Sequence, residues 1–477
     1  MAWRTLASGL GPSESSAVTQ LGCVWKRLVV VSFCLLAVVF LPAVRAETGT
    51  EPSTLNSQPL RSTPSINSFN QLSTLKIVTD PRHLFSRETG IYTHPTERGE
   101  DWERAVTLEV IDAEGRRQFQ VGCGLRIHGG MSRQPEETPK HSFRLIFSSR
   151  HGSTNGPFPW FGPEDAREYE ELILRAGNND SWLFADGEQR GLATYIRDEW
   201  MRRSMLAMGH RSARGAFVNL YLNGMYWGLY NLCEPAGRAL FAGKERERTL
   251  EFDTRKGEKM QSGDSAAWDR LAALADSGLS DEERYQEISK CIDLPQFADY
   301  LILNFYAGNS DWDRSGNWVA VRPRIPGGRF QFLVWDAECI LGSINANTMD
   351  FDDEDSPPHL FQKLSENAAF RKLFAERAQR LLFDQGALAP EVCAERFRDL
   401  ANQVGKAMTA EAARWGNYRR DVHPFKSGPY ERYTVEEHWQ PEVDRIVKRF
   451  FPQRREILLK QFRDRGLFPT PASGPEQ

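Results

Sequence analysis

Hydrophobic and polar positions alternate with a period of two through much of the first half of the chain. The runs are "LKIVTD" (75–80), "AVTLEVID" (105–112), "FQVGCGLRIHG" (119–129) and "HSFRLIF" (141–147). Successive side chains of a strand point to opposite faces, so each run predicts a strand with one buried face. "AFVNLYLNGMYWGLYNLCE" (216–234) adds two strand-like runs around Asn223-Gly224, a dipeptide that tolerates positive φ at both positions of a tight hairpin turn. The period lengthens in "ATYIRDEWMRRSML" (193–206), where Ile196, Trp200, Met201 and Met205 share one helical face. Helical spacing returns in "LPQFADYLILNFYAG" (294–308) through Phe297, Tyr300, Leu301, Leu303 and Asn304. It recurs in "AAFRKLFAERAQRLLF" (368–383) through Phe370, Leu373, Phe374, Leu381 and Leu382. The final apolar stretch, 441–468, reads as two helices broken by Pro452 and stopped at Gly466. Residues 242–265 read as a polar, mobile insertion. No repeat is present. The order predicts an α+β layout, with a β-rich N-terminal lobe (75–234) and a helical C-terminal lobe (235–470), followed by a short tail, 471–477.

Composition narrows the class without naming a function. A chain of 477 residues that is 40% hydrophobic and 26% charged suits a globular protein. With a net charge of −4 and basic residues scattered among acidic ones, nothing argues for a general nucleic-acid binder, and no nucleic-acid partner is expected. At the N-terminus, Lys26-Arg27 precedes the apolar run 28–41 and a Val44-x-Ala46 site. That pattern predicts a secretory signal peptide cut after Ala46; the run is short of the ~20 residues that a membrane span needs. Residues 47–74, rich in Ser, Thr, Pro and Asn, read as a linker. The expected location is therefore secreted, periplasmic or cell-envelope associated, with no stable membrane span. Five cysteines remain beyond the signal (Cys123, Cys233, Cys291, Cys339, Cys393); they allow one disulfide and show no zinc spacing.

Candidate chemistry sits in two loops, "GNSDWDRSGNW" (308–318) and the end of "RFQFLVWDAE" (329–338). Mg²⁺ takes hard oxygen ligands, usually one or two carboxylates with substrate phosphates. Kinases use a loop Asp as base, an Asn shortly after it as metal ligand, and a second metal Asp beyond the next strands. Asp311 or Asp313 would be the base, with Asn317 and Asp336 as ligands. The strand–turn–strand between them, with its turn at Gly327-Gly328, would fold Asp336 back beside Asn317. The residues alone also fit plain loop formation and capping. Upstream, Arg126, Ser132, Arg133 and Lys140 gather around a Gly-containing turn suited to polyphosphate, although no phosphate-loop motif is present. The histidines show no metal-site clustering, and Trp312, Trp318 and Trp335 read as packing.

Taken together, "GLRIHGGMSR…PKHSFRLIF", "FVNLYLNGMYWGLYNLCE", "GNSDW…NW" and "FLVWDAE" resemble the CotH (spore coat protein H) kinase-like family over roughly residues 75–470. The resemblance implies an atypical protein-kinase fold with its site between the lobes. By that likeness, 126–133 is the nucleotide-covering turn, Lys140 contacts phosphate and Glu234 lies at the adenine-side linker. Asp311 is the base, while Asn317 and Asp336 hold Mg²⁺ or Mn²⁺. Six positions separate Asp311 from Asn317 where five are expected, which keeps Asp313 as a rival base. "WDAE" replaces D-F-G, and Glu338 offers a second carboxylate. Asp198 is a candidate helix acid for pairing with Lys140, in competition with Glu199. The implied activity is ATP-dependent phosphorylation of Ser or Thr on a protein. A nucleotide-binding or empty scaffold, and a metal-dependent hydrolase or transferase using the same carboxylates, are the rivals.

Overall fold

The period-two runs of the first half close into a barrel. The computed structural model describes residues 72–152, 158–162, 167–241, 250–313, 316–422 and 427–470; the signal-like segment, most of the linker, 242–249 and the tail lie outside them. Strand β1 (Thr74–Val78) pairs antiparallel with β2 (Arg104–Ile111) and parallel with β6 (Gly215–Leu222). Strands β3 (Arg117–His128), β4 (Ser142–Ile146), β5 (Glu171–Arg175) and β7 (Met225–Cys233) complete the closed order β1-β2-β3-β4-β5-β7-β6. One face of the pleat fills the interior with Leu125, Ile127, Phe143, Leu145, Leu172, Leu174, Leu220 and Leu232. Each fully buried aliphatic side chain contributes about 2 kcal/mol of transfer energy. The alternate positions Arg126, Arg144, Ile173 and Arg175 therefore face outward. The β6–β7 turn has φ +48° at Asn223 and +79° at Gly224, as the dipeptide predicts. The Asn223 side chain also accepts from Thr79 N at 2.9 Å, which pins the hairpin to the end of β1.

A second, antiparallel sheet runs β11-β10-β8-β9, from β8 (Phe252–Lys256), β9 (Lys259–Ser262), β10 (Trp318–Pro323) and β11 (Gln331–Val334). The β10–β11 pair is the expected strand–turn–strand. The β8–β9 hairpin corrects the reading of the whole insertion as a mobile loop. Its strand signal is masked by charge: Asp253 is buried against Arg322 at 2.9 Å, and Arg255 is buried over the Trp268 ring at 4.5 Å.

The main helices are α1 (Arg197–Ala207), α2 (Ala266–Ala275), α3 (Glu282–Ser289), α4 (Leu294–Ala307), α5 (Pro357–Leu364), α6 (Ala368–Leu382), α7 (Pro390–Trp415) and α8 (Phe451–Asp464). Helix α4 is buried on every side, so its apolar residues extend beyond a single stripe. Asp293 caps its N-terminus, and Gly308 at φ +60° turns the chain out of its C-terminus into the first candidate loop. Pro452 does not break the last helix. A π-type turn at Ile446–Phe450 leads into α8, and Pro452 falls in the first turn of α8, where a missing N–H costs little. All five cysteines are unpaired. Among the described residues, no helix is long and apolar enough to cross a membrane.

Candidate active site

The register Trp318↔Val334 ends the β10–β11 ladder one residue short of Asn317 and two short of Asp336, so both project from the same end of the sheet. The loop after α4 closes against the segment after Asp336. Leu341 N donates to Ala307 O at 2.8 Å, and Ser310 N donates to Cys339 O at 3.1 Å. Asp311 is held inside this lacing: its N–H donates to Asn309 Oδ1 at 3.2 Å, and Asn317 Nδ2 donates to Asp311 Oδ2 at 2.9 Å. Asp311, Asn317 and Asp336 thus share one rim. Trp312, Trp318 and Trp335 are buried beneath it.

Asp336 takes φ +56°, a left-handed conformation that costs energy unless its surroundings hold it. Two neighbours do so. The next residue's N–H, Ala337 N, donates to Asp198 Oδ1 at 3.0 Å, and Arg175 Nη1 reaches Asp336 Oδ1 at 2.7 Å. Arg175 ends β5 with its guanidinium over the Trp335 ring at 4.7 Å; it also binds Glu338 and lies 3.4 Å from Asp198 Oδ2. Burial alone would lower its pKa, but Asp198, Glu338 and Asp336 overcome that and hold it well above the usual value. Asp198 belongs to α1 and is shared with Arg202 at 2.9 Å, while Glu199 pairs with Arg202 and Arg203 at 2.7 Å each. Burial pushes the Glu338 carboxyl up to about 8, with Asp336 and Asp198 adding to the rise against Arg175. On the other side of Asp336, Lys256 Nζ lies 3.7 Å from Oδ2.

The upstream candidates have other partners. Lys140 is fully buried, with Nζ 2.7 Å from Glu411 of α7 and 2.6 Å from Leu229 O; burial lowers its pKa against the pull of Glu411. Asp198 therefore pairs with Arg175 and Arg202 rather than with Lys140. Arg133 donates to the carbonyls of Gly129, Pro95, Glu97 and Ile127, which fixes the β3–β4 turn from beneath. Arg126 binds Glu103, and Ser132 lends its carbonyl to His141 Nδ1 at 3.0 Å. Glu234 is buried beside Arg214 at 3.1 Å and Arg167 at 2.9 Å. His128 is held well below its usual pKa by burial and by the charges of Arg144, Lys256 and Arg175.

Two cations at this rim carry little signal in the sequence. Arg175 ends an apolar strand, "ELILR", and an arginine closing such a run was the available signal. Lys256 lay inside the charged insertion and gave none.

Among the described residues, no group of three or more His, Cys, Asp or Glu could hold a metal ion unaided. Asp336 and the Asn317 amide oxygen are nonetheless hard donors of the kind that Mg²⁺ uses when phosphates complete its shell, so this donor set fits such an ion.

A strand cation paired with a helix acid, beside an Asp and an Asp–Asn loop, is an arrangement that kinases use. The family model "CotH kinase protein" matches residues 125–458, and the chain belongs to that family. No curated protein matches it. Among solved structures, the Helicobacter pylori proinflammatory kinase CtkA aligns at 12% identity with a TM-score of 0.26, over 69% of this chain and 96% of that one.

Proposed function

We propose that the chain is an exported, ATP-dependent protein kinase that phosphorylates Ser or Thr hydroxyls. The observation that carries this reading is Arg175, bridged to Asp198 on a helix and to Asp336 at the sheet end. The Arg175–Asp198 pair corresponds to the strand cation–helix acid pair that an active kinase needs, with Asp336 beside it as the metal Asp. In this reading the barrel is the upper lobe, the second sheet and helices are the lower one, and nucleotide binds between them. Arg175, whose guanidinium faces the site, takes the phosphate contact that the family likeness assigned to Lys140. Asp336 and Asn317 would hold Mg²⁺ or Mn²⁺, which when bound neutralises charge on the phosphates. Asp311, fixed by Asn317, accepts the hydroxyl proton. The bond from γ-phosphorus to the β,γ-bridging oxygen breaks, the bond to the hydroxyl oxygen forms, and ADP leaves. Positioning and fixed charge supply most of the rate. The N-terminal segment supports export.

The test is phosphate incorporation from γ-labelled ATP by residues 47–477, with Asp336→Ala and Asp311→Ala alongside. Label lost in both folded variants supports a kinase. Metal-dependent ATP binding with no transfer to any acceptor supports the scaffold, and hydrolysis without nucleotide preference supports the hydrolase.

A further inference from the structure

Lys256 is the side chain in this rim whose present partner is least able to keep it. It ends β8, and the register Val319↔Lys256 lays it across β10 two residues beyond Asn317. Its Nζ lies over the Trp335 ring at 5.4 Å from the centroid, and its Cε lies 3.8 Å from the position a Cβ on Gly316 would take, on the Asn317 side of the site. Nζ lies 3.7 Å from Asp336 Oδ2, the oxygen opposite the one that Arg175 holds. The two cations therefore bracket one carboxylate, Arg175 from the barrel and Lys256 from the sheet bearing Asn317. Their strengths differ. Arg175 is buried and joined to three carboxylates, whereas the Lys256 side chain is 32% exposed in a long, single-point pair. Such pairs are worth about 0–1 kcal/mol, so an incoming anion displaces this one readily.

We propose that Lys256 contacts the terminal phosphate of a nucleoside triphosphate and selects it over the diphosphate. This rests on the kinase reading above. When Asp336 turns its oxygens to a metal ion, Lys256 needs a new anion. The phosphate group on the Asn317–Asp311 side is the one being transferred, while Arg175 serves the phosphates nearer the barrel. Lys256 is a point-charge donor on a flexible stem, suited to following a phosphoryl group as its charge redistributes. Its sequence context, a charged insertion, gives no strand signal.

The experiment is calorimetric titration of residues 47–477 with ATP and with ADP, each with Mg²⁺, comparing the unaltered chain with Lys256→Met and Lys256→Arg. Methionine keeps an unbranched side chain of similar length while removing the charge, and thermal melting of each variant checks the fold. The expected result is a loss of tenfold or more in ATP affinity for Lys256→Met, less than twofold change for ADP, and partial recovery in Lys256→Arg. Equal losses for both nucleotides, or no loss for either, overturns the assignment while leaving the kinase reading standing. Failure of the unaltered chain to bind either nucleotide overturns both.

Discussion

Replacing Lys140 with methionine separates a structural lysine from a phosphate ligand. Lys140 Nζ and Glu411 Oε1 are 2.7 Å apart, and neither side chain has any exposure. At an effective dielectric constant of about 20, two unit charges at that distance attract by roughly 6 kcal/mol. Desolvation offsets much of this in the intact pair, but removing one partner leaves the other charge buried alone, at about 3–5 kcal/mol. Glu411 Oε2 also accepts from Leu229 N at 2.7 Å, so the stranded carboxylate remains tethered in the interior. Lys140→Met is therefore expected to weaken folding by about 4 kcal/mol, roughly a thousandfold in the folding constant. Adding Glu411→Gln removes the uncompensated charge while still accepting from Leu229, and about 2 kcal/mol should return. Urea denaturation followed by tryptophan fluorescence reads both variants, alongside ATP affinity of the folded protein at low denaturant. A Lys140→Met chain as stable as the parent within about 1 kcal/mol, with tenfold weaker ATP binding, would refute this reasoning and restore Lys140 as a phosphate ligand.

Three further outcomes follow from the same geometry. Arg175→Lys keeps the charge but loses the planar fork that spans Asp336 and Glu338, so phosphoryl transfer should fall by roughly a hundredfold in a chain that still folds; γ-labelled ATP measures it. Gly228 has φ +137°, and a Cβ there would lie 2.7 Å from Glu411 Oε2 and Lys140 Cε, so Gly228→Ala should cost about 1–3 kcal/mol in a denaturation midpoint. Burial, with the charge of Arg133 added, depresses His141 from 6.5 to about 4 against its bond to Ser132. A depressed folded-state pKa means that this stability is fully present above pH 6.5 and is lost as pH falls toward 4, up to about 3 kcal/mol from the shift. The denaturation midpoint of the parent should fall across that window more steeply than that of His141→Phe.

The strands, the Asn-Gly hairpin and the helix over 193–206 were legible because each follows from a local rule: a period of two, a turn dipeptide, a period near 3.6. The barrel's closure was not, since the parallel β1–β6 pairing joins residues about 145 positions apart with no turn between them to announce it. Local rules also failed where charge is buried in pairs. Asp253 and Arg255 look like loop residues until Arg322 and Trp268 face them. The strand pair that sets Asn317 and Asp336 at one end of a sheet was legible in the spacing. The site's cations were not. Lys140 lies just before one barrel strand and Arg175 at the end of another, and only their three-dimensional partners, Glu411 for one and Asp198 with Asp336 for the other, tell them apart.

Those partners also bear on how the site is kept in order. Asp198 bonds the backbone N–H of Ala337, so the first turn of α1 fixes the peptide between Asp336 and Glu338 directly. Arg197, one residue earlier, is fully buried, donates to Ile340 O and binds Glu442. Trp200 Nε1 donates to Cys393 O at 3.3 Å, tying the next turn to α7. Swinging α1 away would break the Asp198 and Arg197 bonds together. Each charged hydrogen bond is worth about 1.5–3 kcal/mol, and a buried guanidinium left unpaired adds several more. That sum rivals the whole stability of a typical domain, about 5–15 kcal/mol. The α1 acid, Arg175 and Asp336 are therefore brought into register by the same packing that folds the chain, and that packing holds the left-handed backbone at Asp336.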